Sequence, residues 1–125
     1  MDKVVHFEIP AEDLERAQKF YKNVFKWDLN HIKDMNYTIV HTVKTSEKGM
    51  PIESGAINGG MMKRKEPIKN PVITINVADI DASMKLLKKE GGKTVLEKFK
   101  VGDMGYCSYF RDTEGNILGL WQNLK

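Results

Sequence analysis

At 125 residues the chain has room for one hydrophobic core and is too short for two independent ones, and its 41% apolar and 30% charged residues exclude a disordered chain or a disulfide scaffold. The net charge of +3 is spread over scattered lysines. The one compact basic run, Met62-Lys63-Arg64-Lys65, stops at Glu66-Pro67 without interleaved aromatics, so no nucleic-acid partner is expected.

Behind Met1-Asp2-Lys3 there is no extended apolar stretch, and the longest apolar runs are strand-sized, so neither export nor a membrane partner is expected. Cys107 stands alone and has no thiol to pair with, which makes the cytoplasm the default location.

Residues 3–9 alternate, with Val5, Phe7 and Ile9 on one face and Val4, His6 and Glu8 on the other, which predicts a half-buried strand. Asp13 is placed to cap a helix. Behind it Leu14, Ala17, Phe20, Tyr21, Val24 and Phe25 recur every three or four residues, an apolar stripe ending near Lys26. Three β-prone stretches follow at 27–33, 37–45 and 54–63, separated by turn-forming segments. Two prolines and several charges in 65–71 read as a connector.

The plan then restarts. Residues 72–77 form a strand, Asp79 caps a second helix striped by Ile80, Met84 and Leu87, and Gly91-Gly92 ends it. Strands at 93–99, 105–111 and 117–122 complete the half, the last two joined by the turn 112–116. Laying Asp13-Leu14 on Asp79-Ile80 sets His6-Phe7-Glu8-Ile9 against Thr74-Ile75-Asn76-Val77, a repeat of about sixty residues. A module of that size is marginal alone. The expectation is therefore one α+β domain over 1–125, made of βαβββ modules at about 1–64 and 70–125. Their curved mixed sheet has helices outside and a concave polar cleft suited to a small molecule.

The stretches "VVHFEIPAEDLERAQKFYKNVFKW", "ITINVADIDASMKLLKKEGGKTV" and "YFRDTEGNILGLWQ", in that order and with the segment 54–60, resemble the vicinal oxygen chelate superfamily. That group holds glyoxalase I, bleomycin-resistance proteins, extradiol dioxygenases and methylmalonyl-CoA epimerase. The resemblance implies homodimers, and in metal-using members a divalent ion (Zn, Ni, Fe or Mn) held by side chains of the first and last strand of each module. Here His6 occupies the first-strand ligand position, but its counterpart is Thr74, the last-strand acidic ligand is Gly119, and the first module offers Gly59 or Gly60. One ligand of four is too few for an ion, since known zinc sites use at least three protein ligands. Glu8, Glu53 and His41 are the replacement donors to examine. No cofactor is the expectation, with a metal held through His6 as the alternative.

His6 and Glu8 read either as a proton-transfer pair, the candidate catalytic residues, or as a hydrogen-bonded pair on a half-solvated face; the residues alone favour the second. Thr74 and Asn76 either orient a ligand or satisfy each other. Gly119 is expected to leave room on their face, and Trp121 to stack on a planar ligand or pack in the core. Alternation does not decide between Tyr106 and Tyr109. The strand glycines of 55–60 mark close approach of a backbone or ligand, and Met61, Met62 and Trp27 are interface candidates.

The expected function is binding of a small organic molecule by His6, Glu8, Thr74, Asn76, Gly119 and Trp121 without the usual metal. The alternatives are a metal-dependent glyoxalase-like lyase, isomerase or dioxygenase using His6, and a scaffolding dimer.

Overall fold

A computed structural model describes residues 1–124. The chain divides into two compact units, one of His6–Pro71 and one combining Met1–Val5 with the chain from Val72 onward. The element order is βαβββ twice, the α+β arrangement expected from the sequence.

The first unit holds β1 (Lys3–Ala11, from His6), α1 (Leu14–Phe25), β2 (Asp28–Ile32), β3 (Tyr37–His41) and β4 (Gly59–Lys63). Its strands run in the order β2-β3-β4-β1, antiparallel except for the parallel pair β1 and β4. Asp13 caps α1 as expected, accepting from the Arg16 N–H, and Lys26 ends it in the left-handed conformation at φ 63°. Leu14, Ala17 and Tyr21 pack onto Ala11, Val40 and Met61, with Phe7, Ile9, Trp27 and Leu29 around them.

The apolar stripe of α1 is wider than the face it buries: Phe20, Val24 and Phe25 are 55%, 53% and 54% exposed. Trp27, an interface candidate in the sequence, is half-buried against its own unit. It stacks on Tyr21 with ring centroids 5.0 Å apart and packs against Phe7 and Phe25.

Two strands are shorter than their β-prone sequences. The strand expected over 37–45 ends at His41, and that over 54–63 begins at Gly59. The cause is Asn58, whose Oδ1 accepts from the backbone N–H of Thr42 at 2.8 Å and Val43 at 3.1 Å, while the Thr42 hydroxyl donates to the Ile57 carbonyl at 2.7 Å. Side chains thus take the backbone groups that a longer ladder would use.

The second unit holds β5 (Val72–Asn76), α2 (Ile80–Lys89), β6 (Lys93–Val101), β7 (Gly105–Arg111) and β8 (Ile117–Asn123). It repeats the pattern: β5 runs parallel to β8, and β8, β7 and β6 follow antiparallel. Ile80, Met84, Val77 and Leu120 form its core, flanked by Ile75, Leu87, Tyr106 and Phe110. The turn at 112–116 closes on Asp112, whose Oδ1 accepts from the N–H groups of Glu114 and Asn116. Neither described helix is long and apolar enough to cross a membrane.

Asp79 Oδ1 accepts from the N–H of Asp81 at 2.9 Å and of Ala82 at 3.2 Å, and Gln122 Oε1 takes the N–H of Ile80. Asp79→Ala strips the first two bonds and leaves the third, so a loss of about 1 kcal/mol is expected. A lowered urea midpoint with an unchanged slope is the measurement that checks it.

Candidate functional site

Because Phe7 and Ile9 face α1, alternation puts His6 and Glu8 on the opposite face of β1. The register sets Glu8 level with Gly60, Gly60 level with Ile39, and Tyr37 level with Met62. The Tyr37 phenol lies across Gly60, where a Cβ atom would overlap its hydroxyl. From there its oxygen sits 2.9 Å from His6 Nε2, and its O–H donates to Glu8 Oε2, also at 2.9 Å. Glu8 is 7% exposed and His6 half-buried, so the three groups form a largely desolvated polar chain.

Tyr37 went unnoticed as a site residue in the sequence. The signal that pointed to it was Gly60, since a strand glycine marks close approach, here of a phenol.

Burial holds the His6 imidazole below its ordinary value, while the charge of Glu8 acts in the opposite direction. The folded protein therefore favours neutral His6, a proton acceptor at neutral pH. The unfolded chain, whose histidine titrates near the ordinary value of about 6.5, takes up a proton first as pH falls. Stability is accordingly expected to decline as pH drops through that value and on toward the lower folded one. Urea titrations from pH 7.5 to 5.5 check this: His6→Asn is expected to flatten the dependence.

In the second unit Thr74 lies level with Gly119 and Asn76 with Trp121, so these four residues share the face away from α2. Gly119 does not leave open space there. A Cβ atom on it would stand 2.9 Å from Thr74 Oγ1, so the hydroxyl of Thr74, itself 4% exposed, occupies the room. Thr74 and Asn76 do not satisfy each other, because Asn76 Oδ1 is buried with no hydrogen-bond partner among the described residues. Trp121 donates from Nε1 to Asn123 Oδ1 at 2.8 Å and covers Gly105. The register also decides between the tyrosines: Tyr109 lies level with Gly119 on this face, and Tyr106 packs on the α2 side. The Cys107 thiol lies 3.9 Å from the Ser108 carbonyl.

The donor set does not fit a divalent ion. Gly59 and Gly60, level with Phe7 and Glu8, offer no donor side chain, and the Oδ1 of the neighbouring Asn58 is taken by the N–H groups of Thr42 and Val43. His6 Nε2 is engaged by Tyr37, and Glu8 accepts from the same hydroxyl. His41 buries Nδ1 without a hydrogen-bond partner, and Glu53 is exposed in a turn. Among the described residues no three His, Cys, Asp or Glu side chains converge on a point that could hold a metal.

Comparison with known proteins agrees with this architecture. Residues 3–42 match the bleomycin resistance protein-like N-terminal family. A glyoxylase-like domain-containing protein of Didymella fabae is 34% identical over 111 residues, covering 87% of this chain and 84% of that protein. The candidate glyoxylase CFP32 of Mycobacterium bovis is 26% identical over 115 residues, covering 92% of this chain, which spans 43% of CFP32. Among solved structures, a variant of Streptomyces coelicolor methylmalonyl-CoA epimerase in complex with 2-nitronate-propionyl-CoA superposes with a TM-score of 0.66 at 13% identity, over 98% of each chain. The chain thus belongs to the glyoxalase and bleomycin-resistance family of the vicinal oxygen chelate superfamily.

Proposed function

We propose that this chain binds a small organic molecule and does so without a divalent metal. The observation that carries the reading is the chain of hydrogen bonds His6–Tyr37–Glu8, a set of oriented polar groups beside the apolar side chains of Ile39 and Met62. Thr74, Asn76, Gly119 and Trp121 form the corresponding face of the second unit and are proposed as ligand-binding residues there, with the buried oxygen of Asn76 as the group most in need of a donor. That the epimerase of similar fold is held in complex with a coenzyme A ester supports a small-molecule ligand for this fold.

Two measurements test the reading. Elemental analysis of dialysed protein is expected to find no stoichiometric metal, and chelator to leave the melting temperature unchanged; tightly held zinc, nickel, iron or manganese would overturn it. In a thermal-shift screen, compounds that stabilise the wild type are expected to lose that effect on His6→Ala.

A second reading, an acid/base enzyme of the lyase or isomerase kind, is favoured by the same chain of bonds. Proton uptake by His6 produces an imidazolium whose Nε2–H points through Tyr37 to the Glu8 carboxylate, which stabilises it. Turnover abolished in both His6→Gln and Glu8→Gln would select this reading. We further propose that the protein works as a cytoplasmic homodimer without a nucleic-acid partner, with Met62 as an interface candidate; sedimentation at micromolar concentration tests the dimer.

A further inference from the structure

The register of the second unit sets two rows of residues across β6, β7, β8 and β5. One is Leu96, Tyr109, Gly119 and Thr74, and the other is Phe99, Cys107, Trp121 and Asn76. Residues opposite one another on neighbouring strands share a face, so Leu96 and Phe99 lie on the face away from α2, with Thr74 and Trp121. Tyr106 and Phe110, at the alternate positions of β7, pack on the α2 side. The face is graded. Its β6 end is apolar and open, with Leu96 45% and Phe99 40% exposed. Trp121, half-buried, stands in the middle, and at the β5 end Asn76 Oδ1 is buried without a hydrogen-bond partner among the described residues. There Asn76 and Asn123 line an open pocket of about 250 Å³ with Val77, Ala78, Asp2 and Lys3.

Among the described residues β6 has β7 on one side and no strand on the other. Such an edge invites a strand from another chain, but two register shifts in its pairing with β7 and the exposed Lys93, Lys98 and Lys100 oppose that pairing. The open parts of Leu96 and Phe99 with the edge of the indole give on the order of 200 Å² of apolar surface, against about 800 Å² that each partner of a stable protein pair buries. That size suits a small molecule.

We infer that the face of the second unit takes an elongated molecule whose flat apolar body lies along Leu96, Phe99 and Trp121, and whose hydroxyl or N–H donates to Asn76 Oδ1. This rests on the small-molecule reading above, names the chemical class that reading leaves open, and adds Leu96 and Phe99 to the residues that recognise the ligand. Strands about 4.8 Å apart put Phe99 and Asn76, three strands distant in one row, about 14 Å from one another, which sets a body of about two rings. The donor supplies a partner to an oxygen that is otherwise buried without one, and the body covers apolar side chains that are open to water.

The test uses the full chain and two probes, biphenylmethanol and its methyl ether, which share a body and differ in the donor. Binding is followed by the NMR signal of the Trp121 indole N–H, assigned by its loss in Trp121→Phe. The alcohol is expected to bind about fivefold more tightly than the ether, a comparison made on the wild type that needs no variant to fold. Phe99→Ala is expected to weaken both probes about tenfold and keep their ratio, and Asn76→Ala to bring the alcohol to the affinity of the ether. Equal affinities for alcohol and ether, or no effect of Phe99→Ala on either, would overturn the inference. So would a dimer that Phe99→Ala turns into monomers in sedimentation, since the patch would then belong to a second copy of the chain. If neither probe bound while other compounds stabilised the protein in the thermal-shift screen, this inference would sink and the binding reading would stand. If no compound of any class stabilised the protein, the binding reading itself would fall.

Discussion

Gly60→Ala is expected to destabilise the protein by about 3 kcal/mol, far more than one methyl group on a strand ordinarily costs. The added Cβ would overlap the Tyr37 hydroxyl and its ring. Either the phenol leaves its place, losing its bonds to His6 and Glu8, or β3 and β4 separate where Ile39 lies level with Gly60. The first outcome takes from a largely buried carboxylate the bond that the phenol donates, and a hydrogen bond to a charged group contributes about 1.5–3 kcal/mol. A double-mutant cycle isolates the cause. In a Tyr37→Ala background the methyl group has space, and Gly60→Ala is expected to be neutral or slightly stabilising, since glycine in a strand costs about 0.5–1 kcal/mol relative to alanine. Equal losses in both backgrounds, measured by urea unfolding, would show that Gly60 is needed for the strand and not for the phenol.

The same triad shows where the sequence was legible. Alternation around Phe7 and Ile9 placed His6 and Glu8 together on one face, and the structure keeps them there. The caps at Asp13 and Asp79 and the stripes behind them located both helices, because those signals are local and span single turns. Tyr37 was invisible for the opposite reason. It lies 29 residues from Glu8, and its face depends on β4 running parallel to β1, a tertiary fact that periodicity does not carry. Asn58 is a similar case. Read as part of a β-prone stretch, it instead ends the ladder by capturing two backbone N–H groups. In the second unit Gly119 looked like an opening because glycine has no side chain. Its space belongs to Thr74, the residue level with it on β5.

The adjacent methionines of β4 are expected to separate sharply: Met61→Ala should cost about 2–5 kcal/mol, whereas Met62→Ala should cost less than about 1 kcal/mol. From the sequence the two were equivalent, a pair of adaptable apolar side chains suited to a wall or an interface. In a strand, neighbours point to opposite faces. Met61 points toward α1, is 0% exposed and forms a buried core with Ala11 and Val40, so truncation leaves a cavity that the surrounding Leu14, Ala17 and Tyr21 can fill only by moving the helix. Met62, level with Tyr37 on the other face, is only half-buried, and its removal mainly exposes one side of the phenol to water. The two variants should also part in function. Met62→Ala is expected to weaken ligand-induced stabilisation with little change in the urea midpoint of the free protein, and Met61→Ala to lower that midpoint sharply. Comparable losses of stability from the two would contradict the register of β4 against β1 and β3, and with it the placement of Tyr37 between His6 and Glu8.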